Sequence, residues 1–196
     1  RWVGKLVGRM LSRALLRPGG LTAVLDVFFG LPSSFSDGTV HDAVTQLVST
    51  LPSPSVATED VYMEGIGPQV VALLAPFRHA GYQHRTAYHL WDAFLTRRPH
   101  LFTLKVAHTV CRPLHALLHA DPCGASSDSA EFPQTDVLQC LSRLTSLLGV
   151  NVPPSVPLLE YLAPCVSVVA SLYSFGVGHR VAAVRRGAAA LLEVFL

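Results

Sequence analysis

The sequence predicts an all-α chain laid out as a series of stacked helical pairs. Apolar residues recur at helical spacing through most of its length, and no long stretch alternates with the period of two that marks a half-buried strand. A short pattern also returns along the chain: a large apolar residue, an acid, Val or Ala, Phe, then Phe or Leu. It stands at 25–29 (LDVFF), 91–95 (WDAFL) and 192–196 (LEVFL). Such recurrence marks an array in which each pair buries its apolar face against the next. Composition agrees, since half of the 196 residues are hydrophobic and only 14% are charged. With a mean hydropathy of +0.40, the chain either buries helices on several sides or presents apolar surface to partners.

The helices are read in order from their breakers. The first, 1–16, ends at RPGG (17–20), and the second, 20–30, ends at LPSSFSDG (31–38). Helix 39–51 stops at LPSPS (51–55), and 58–79 stops at HAGYQ (79–83). Helix 83–97 is closed by RRP (97–99), and 100–119 follows it. The longest polar segment, 120–133, reads as a solvated connector. Helix 134–149 runs to NVPPSVP (151–157), helix 156–174 follows, and GVGHR (176–180) marks the boundary before 179–196. Three regions result: helical repeats over 1–119, a polar loop over 120–133, and further helices over 134–196. The sequence starts at Arg1 rather than Met and stops on LLEVFL, as expected for a fragment of a longer array.

Two of the echoes extend further. Arg85, Ala87, Leu90, Asp92, Phe94 and Leu95 align without a gap to Arg186, Ala188, Leu191, Glu193, Phe195 and Leu196. LLAPF (73–77) and YLAPC (161–165) each carry a proline inside a helix-like run. A proline gives up one helical hydrogen bond and bends the helix, and small residues such as Ala188 and Ala189 let paired helices approach. A bent helix, a short turn and an Arg-x-Ala-x-x-Leu helix together resemble a HEAT repeat. The expected fold is therefore a right-handed α-solenoid of HEAT- or armadillo-like pairs.

Three segments resemble something narrower: LLRPGGLTAVLDVFF (15–29), EGIGPQVVALL (64–74) and RRPHLFTLKVAHTVCRPLHALL (97–118). Gly67-Pro68-Gln69, and Arg98-Pro99-His100-Leu101 followed by Pro113-Leu114, are similar to the transport and Golgi organisation protein 6 family. Fungal relatives of that family act in RNA polymerase II assembly and nuclear import. The resemblance implies a non-catalytic cytosolic adaptor for protein partners in secretion, Golgi organisation or nuclear import. It implies a cytoplasmic place, peripheral to the Golgi or other endomembranes, with no cofactor and no small-molecule substrate. This chain departs from the family pattern in its many histidines and its Arg-rich first helix.

Candidate chemistry centres on HTVCRPLHALLH (108–119). At 100° per residue, Leu104, Ala107, Val110, Cys111, Leu114, Leu117 and Leu118 form one apolar arc, with His108, His115 and His119 along its flank beside Lys105 and Arg112. The stretch rises about 16 Å along the helix, whereas zinc ligands converge on one ion at about 2.0–2.3 Å. One helix therefore supplies at most half a site, Cys111 with His115 or His115 with His119, and neighbouring cations oppose a metal. Pro113 adds an expected bend between Cys111 and His115. A metal-dependent enzyme using this region is the remote alternative; no metal ligand or catalytic residue is assigned. His79, His84 and His89, spaced by five, fall on different faces. The sequence carries no Gly-rich phosphate loop and no nucleophile elbow.

The net charge of +2 does not suit a general nucleic-acid binder, so no specific nucleic acid is expected as a partner. Four cysteines without paired spacing point to reduced thiols. Arg1, Lys5, Arg9, Arg13 and Arg17 recur every fourth residue with no acid before Asp26, a stripe that approaches the apolar side of the helix by Arg13 and Arg17. Arg1, Lys5, Arg9, Arg13, Lys105 and Arg112 are the candidate partner-binding residues. Membrane attachment is the alternative, through the basic helix (1–17) or through Tyr161–Gly178, eighteen residues without a charge. Pro164, three serines and two glycines within that run instead favour a buried helix.

Overall fold

The computed structural model describes residues 2–30, 37–50, 52, 56–75, 81–119, 134–149 and 152–195; among these, every regular element is helical. The chain forms two compact units, Arg1–Val106 and Ala107–Leu196. The polar loop 120–133, which separates the two helical regions of the sequence reading, lies outside the described residues.

Unit 1 is built from α1 (Trp2–Leu15), α2 (Gly20–Gly30), α3 (Asp37–Ser49), α4 (Glu59–Ala72), α5 (Gly81–Arg97) and α6 (Pro99–Phe102), followed by a π-helical segment, Thr103–Ala107. The RPGG turn separates α1 from α2 for a stereochemical reason. Gly19 adopts φ +75°, and a Cβ on Gly20 would collide with the Ala14 carbonyl oxygen. α4 starts on Thr58, whose hydroxyl accepts from the Val61 N–H at 3.4 Å, and Glu59 and Asp60 in its first turn suit the helix dipole. α6 starts on Pro99, where a missing N–H costs nothing.

Gly67-Pro68-Gln69 lies inside α4 and ties this unit together. A Cβ at Gly67 would sit 2.6 Å from Val106 Cγ2, so only glycine lets that side chain seat against α4. The Gln69 amide reaches across to the first turn of the unit. Its Nε2 donates to the carbonyls of Leu15 at 2.8 Å and Gly65 at 2.9 Å, and its Oε1 accepts from the Leu21 N–H at 2.9 Å. One side chain thus satisfies backbone groups that α1 leaves open at its end and α2 at its start. Below it the core is filled by Leu15, Leu21, Leu25, Tyr62, Ile66 and Val70. Trp91, Phe94 and Phe102 fill it towards α5 and α6, with ring centroids 5.1 and 5.3 Å apart around Phe102. Tyr62 is buried and donates to the Val48 carbonyl at 2.7 Å, which joins α4 to α3; burial raises its phenol well above the ordinary range.

Unit 2 comprises α7 (His108–His119), α8 (Gln134–Leu148), α9 (Val156–Leu162), a 3₁₀ turn at Ala163–Cys165, α10 (Val166–Gly178) and α11 (Ala182–Leu192). α11 packs on α8 and α10, and α7 packs on the same two helices. A Cβ at Gly176 would lie 2.7 Å from the Arg185 backbone nitrogen, so α10 and α11 meet backbone to backbone. Ala188 is fully buried there, in keeping with the small-residue expectation. The two echoed helices also agree in burial: Ala87 and Leu90 match Ala188 and Leu191 inside, and Arg85 matches Arg186 outside.

Some boundaries differ from the sequence reading. α4 ends at Ala72 rather than near 79, and the expected bend at Pro76 lies outside the described residues. α11 begins at Ala182 because Arg180 adopts φ 58°, a left-handed conformation that ends the preceding helix. The helix at YLAPC does tighten into a 3₁₀ turn at its proline, then continues to Gly178 instead of stopping at 174.

Candidate partner-binding surface

The Cys/His stretch resolves into a packing helix. Val110, Cys111, Pro113 and Leu114 are buried in α7, while His108 and His119 are exposed and His115 is half-buried. The predicted apolar arc fails towards both ends: Leu117 is exposed, and Leu104 is 70% exposed while Phe102, Val106 and Ala107 are buried. At Leu104 the cause is the π segment, which holds more residues per turn than the 3.6 assumed by a helical wheel and so rotates that side chain outward.

Cys111, Cys140 and Cys165 are free and buried in unit 2. Burial pushes the Cys111 thiol well above its ordinary range, raises Cys140 to about 12, and raises Cys165. All three are held as neutral thiols, whereas both metal ligation and nucleophilic attack use the thiolate. Among the described residues no three His, Cys, Asp or Glu side chains come together as a metal site.

His115 stacks on His108 with ring centroids 5.7 Å apart, and its Nε2 lies 3.5 Å from the Tyr161 hydroxyl. Burial, then the charges of His108 and His119, depress its pKa below the ordinary histidine value. Unit 1 holds a comparable site that sequence reasoning missed. His41 is buried, with Nδ1 2.9 Å from Thr86 Oγ1 and its ring 4.8 Å from Phe29 and 5.6 Å from His89. Only a lone His in VHDAV signals it locally, and its partners come from helices distant in sequence. His89 is depressed by burial and by Arg85, against smaller opposing contributions from Asp42 and Asp92.

A sign follows for stability. Where the folded pKa lies below the unfolded value near 6.5, the unfolded chain binds more protons, so stability is fully present above about pH 6.5 and declines as pH falls through the window below it. Thermal melts should therefore show a lower midpoint at pH 5.5 than at pH 7.5. The difference should shrink in a His89→Gln/His115→Gln variant; an equal drop in both proteins would remove these two histidines as the cause.

The predicted contact residues divide by environment. Arg1 and the side chain of Lys5 lie outside the described residues. Arg9 and Arg13 are exposed on α1, and Arg17 is exposed in the turn after it. Lys105 is already paired, its Nζ 2.7 Å from Glu64 Oε1, and that carboxylate raises the ammonium pKa. Arg112 is exposed on α7. Arg98, part of the quoted RRPHL segment, pairs with Glu59 at 2.9 Å. Residues of the segments that carried the resemblance, Gly67, Gln69, Arg98 and Lys105, thus make packing contacts, hydrogen bonds and ion pairs that hold unit 1 together.

Exposed apolar surface gathers in two places. On α1 and α2, Leu6, Val7, Met10 and Val27 face outward, Met10 at 64% and Val27 at 61% exposure. On α10, Tyr173, Phe175 and Val177 do so. The second case corrects the expectation of a buried helix at 161–178. Only 28% of the apolar window within Val156–Gly178 is buried, because α10 turns Val168, Val169 and Gly176 inward and leaves its opposite face uncovered.

The family model described as Transport and Golgi organization protein 6 homolog, ARM-like repeat, matches residues 15–192. No solved structure matches the chain. The matched span covers most of both compact units and reaches past the last of the three resembling segments, which ends at 118.

Proposed function

This chain belongs to the transport and Golgi organisation protein 6 family, and on that premise we propose that it is a non-catalytic scaffold or adaptor that binds other proteins. The observation that carries the reading is the ARM-like repeat match over 15–192, joined to outward-facing apolar residues on its helices. Helical-repeat arrays bind along extended exposed surfaces, and large exposed apolar patches mark interaction sites. The role suggested by the family name is protein secretion or Golgi organisation, with nuclear import of a large complex as the other route. The proposed place is the cytoplasm, at or near endomembranes, with no cofactor, small-molecule substrate or specific nucleic acid.

The helix Val156–Gly178 favours a second reading, membrane association. It spans 23 residues, includes an 18-residue window with a mean hydropathy of 1.5, and leaves much of its surface uncovered. Affinity capture of the intact protein, with partners identified by mass spectrometry, tests the two together. The scaffold reading expects a recurrent set of proteins that an unrelated helical bait does not recover. Recovery of nothing beyond that control, with the protein sedimenting on protein-stripped Golgi membranes, would replace it by the membrane reading.

A further inference from the structure

The α1–α2 hairpin combines three features that bear on one another. Between the helices runs a groove of about 420 Å³ whose walls include Leu11, Ala14, Val24 and Phe28, with Arg17 at its edge. Leu6, Val7 and Met10 on α1 and Val27 on α2 continue the apolar surface outward. Arg9 and Arg13 stand at i,i+4 spacing on α1, where on a helical wheel they border the arc of Leu6, Met10 and Ala14, and Arg17 lies in the turn beyond. None of these three arginines makes an ion pair among the described residues. Asp26, the acid of α2, is turned to another task, accepting from the Tyr82 hydroxyl at 3.1 Å.

We infer that this groove docks an amphipathic acidic helix from a protein partner. The inference rests on the scaffold reading and gives that scaffold a binding site. An apolar stripe with anchors at i, i+3, i+4 and i+7 fills such a groove, and the four-residue step from Arg9 to Arg13 rises about 6 Å along α1, with Arg17 following in the turn beyond its end. Acidic residues at i,i+4 spacing on the incoming helix match that rise. The match places a carboxylate opposite each cation while the apolar face is buried. Charge complementarity selects an acidic partner over a basic one and accelerates encounter at low salt. Shape favours a helix over an anionic bilayer: Leu11, Val24 and Phe28 are half-buried in the groove between α1 and α2, a form that receives side chains, whereas a flat interface takes side chains that project from one face.

The test uses this chain and a fluorescein-labelled 18-residue helical peptide with Leu along one face and Glu flanking it at i,i+4 spacing. Saturable anisotropy binding is expected, weakened at least tenfold by Arg9→Glu/Arg13→Glu and also by Val27→Asp. Both variants alter exposed positions, and circular dichroism should show them folded as the parent. A peptide with Lys in place of every Glu should bind at least tenfold more weakly. Equal binding of the two peptides, no binding, or binding unaffected by Val27→Asp would overturn the inference. So would binding to phosphatidylserine vesicles that the acidic peptide does not displace, which would assign the surface to a membrane. If the peptide fails while capture still returns protein partners, the groove is wrong and the scaffold stands.

Discussion

Trp91→Ala is expected to destabilise unit 1 by about 3–5 kcal/mol, as large-to-small aromatic substitutions in a closed core do. Trp91 is fully buried, its ring meets Phe102 edge-on at 5.1 Å, and Phe102 is in turn stacked on Phe94 at 5.3 Å. Removing the indole leaves a cavity that α5 and α6 cannot close without moving Phe102. Much of a domain's typical net stability of about 5–15 kcal/mol would be lost. The indole Nε1 has no hydrogen-bond partner among the described residues, so Trp91→Phe should cost far less: it removes volume and an unsatisfied donor together. Urea unfolding followed by circular dichroism measures both. Equal costs for Ala and Phe would mean that packing volume does not govern this site.

Gln69→Leu should cost about 2–4 kcal/mol despite similar volume, since buried backbone groups left unpaired cost about 1–3 kcal/mol each. The substitution removes the bonds to Leu15, Leu21 and Gly65 and orphans backbone groups on both sides of the RPGG turn. Gln69→Glu keeps an acceptor for the Leu21 N–H but sets a carboxylate against two carbonyls, so it should be destabilising as well. Amide exchange at Leu21 reports the local effect and the thermal midpoint the global one. A Gln69→Leu protein with unchanged midpoint and unchanged Leu21 protection would show that the turn holds itself.

The same residue shows how far the sequence could be read. Gly67-Pro68-Gln69 stood out as a segment, and RPGG stood out as a turn, but nothing in either announces that Gln69 reaches the turn across dozens of intervening residues. Helix placement was legible because it depends on local spacing and breakers. The Arg-x-Ala-x-x-Leu echo was legible because both copies use one burial pattern. Four features were not. The π segment at Thr103–Ala107 rotates Leu104 out of the arc that a regular helix would give it, and backbone phase is not written in residue type. The Lys105–Glu64 pair and the His41–Thr86 contact join residues brought together only by the fold. The uncovered face of α10 depends on which neighbours reach it, and its serines and glycines suit a packed helix equally well.

The basic stripe was the more informative half of the candidate surface. Its periodicity was visible in sequence, but α1 ends at Leu15, so Arg17 lines the groove from the turn rather than from the helix. The groove itself was not visible, because half of its walls come from α2.

Hydrogen exchange of this chain, alone and bound to a captured partner, tests the central claim most directly, namely that the chain is a protein-binding scaffold that engages through α1 and α2. Slowed exchange over Leu6–Phe28 on complex formation, with α10 unchanged, is the result expected. Protection confined to Val156–Gly178, or none anywhere in the chain, would contradict it.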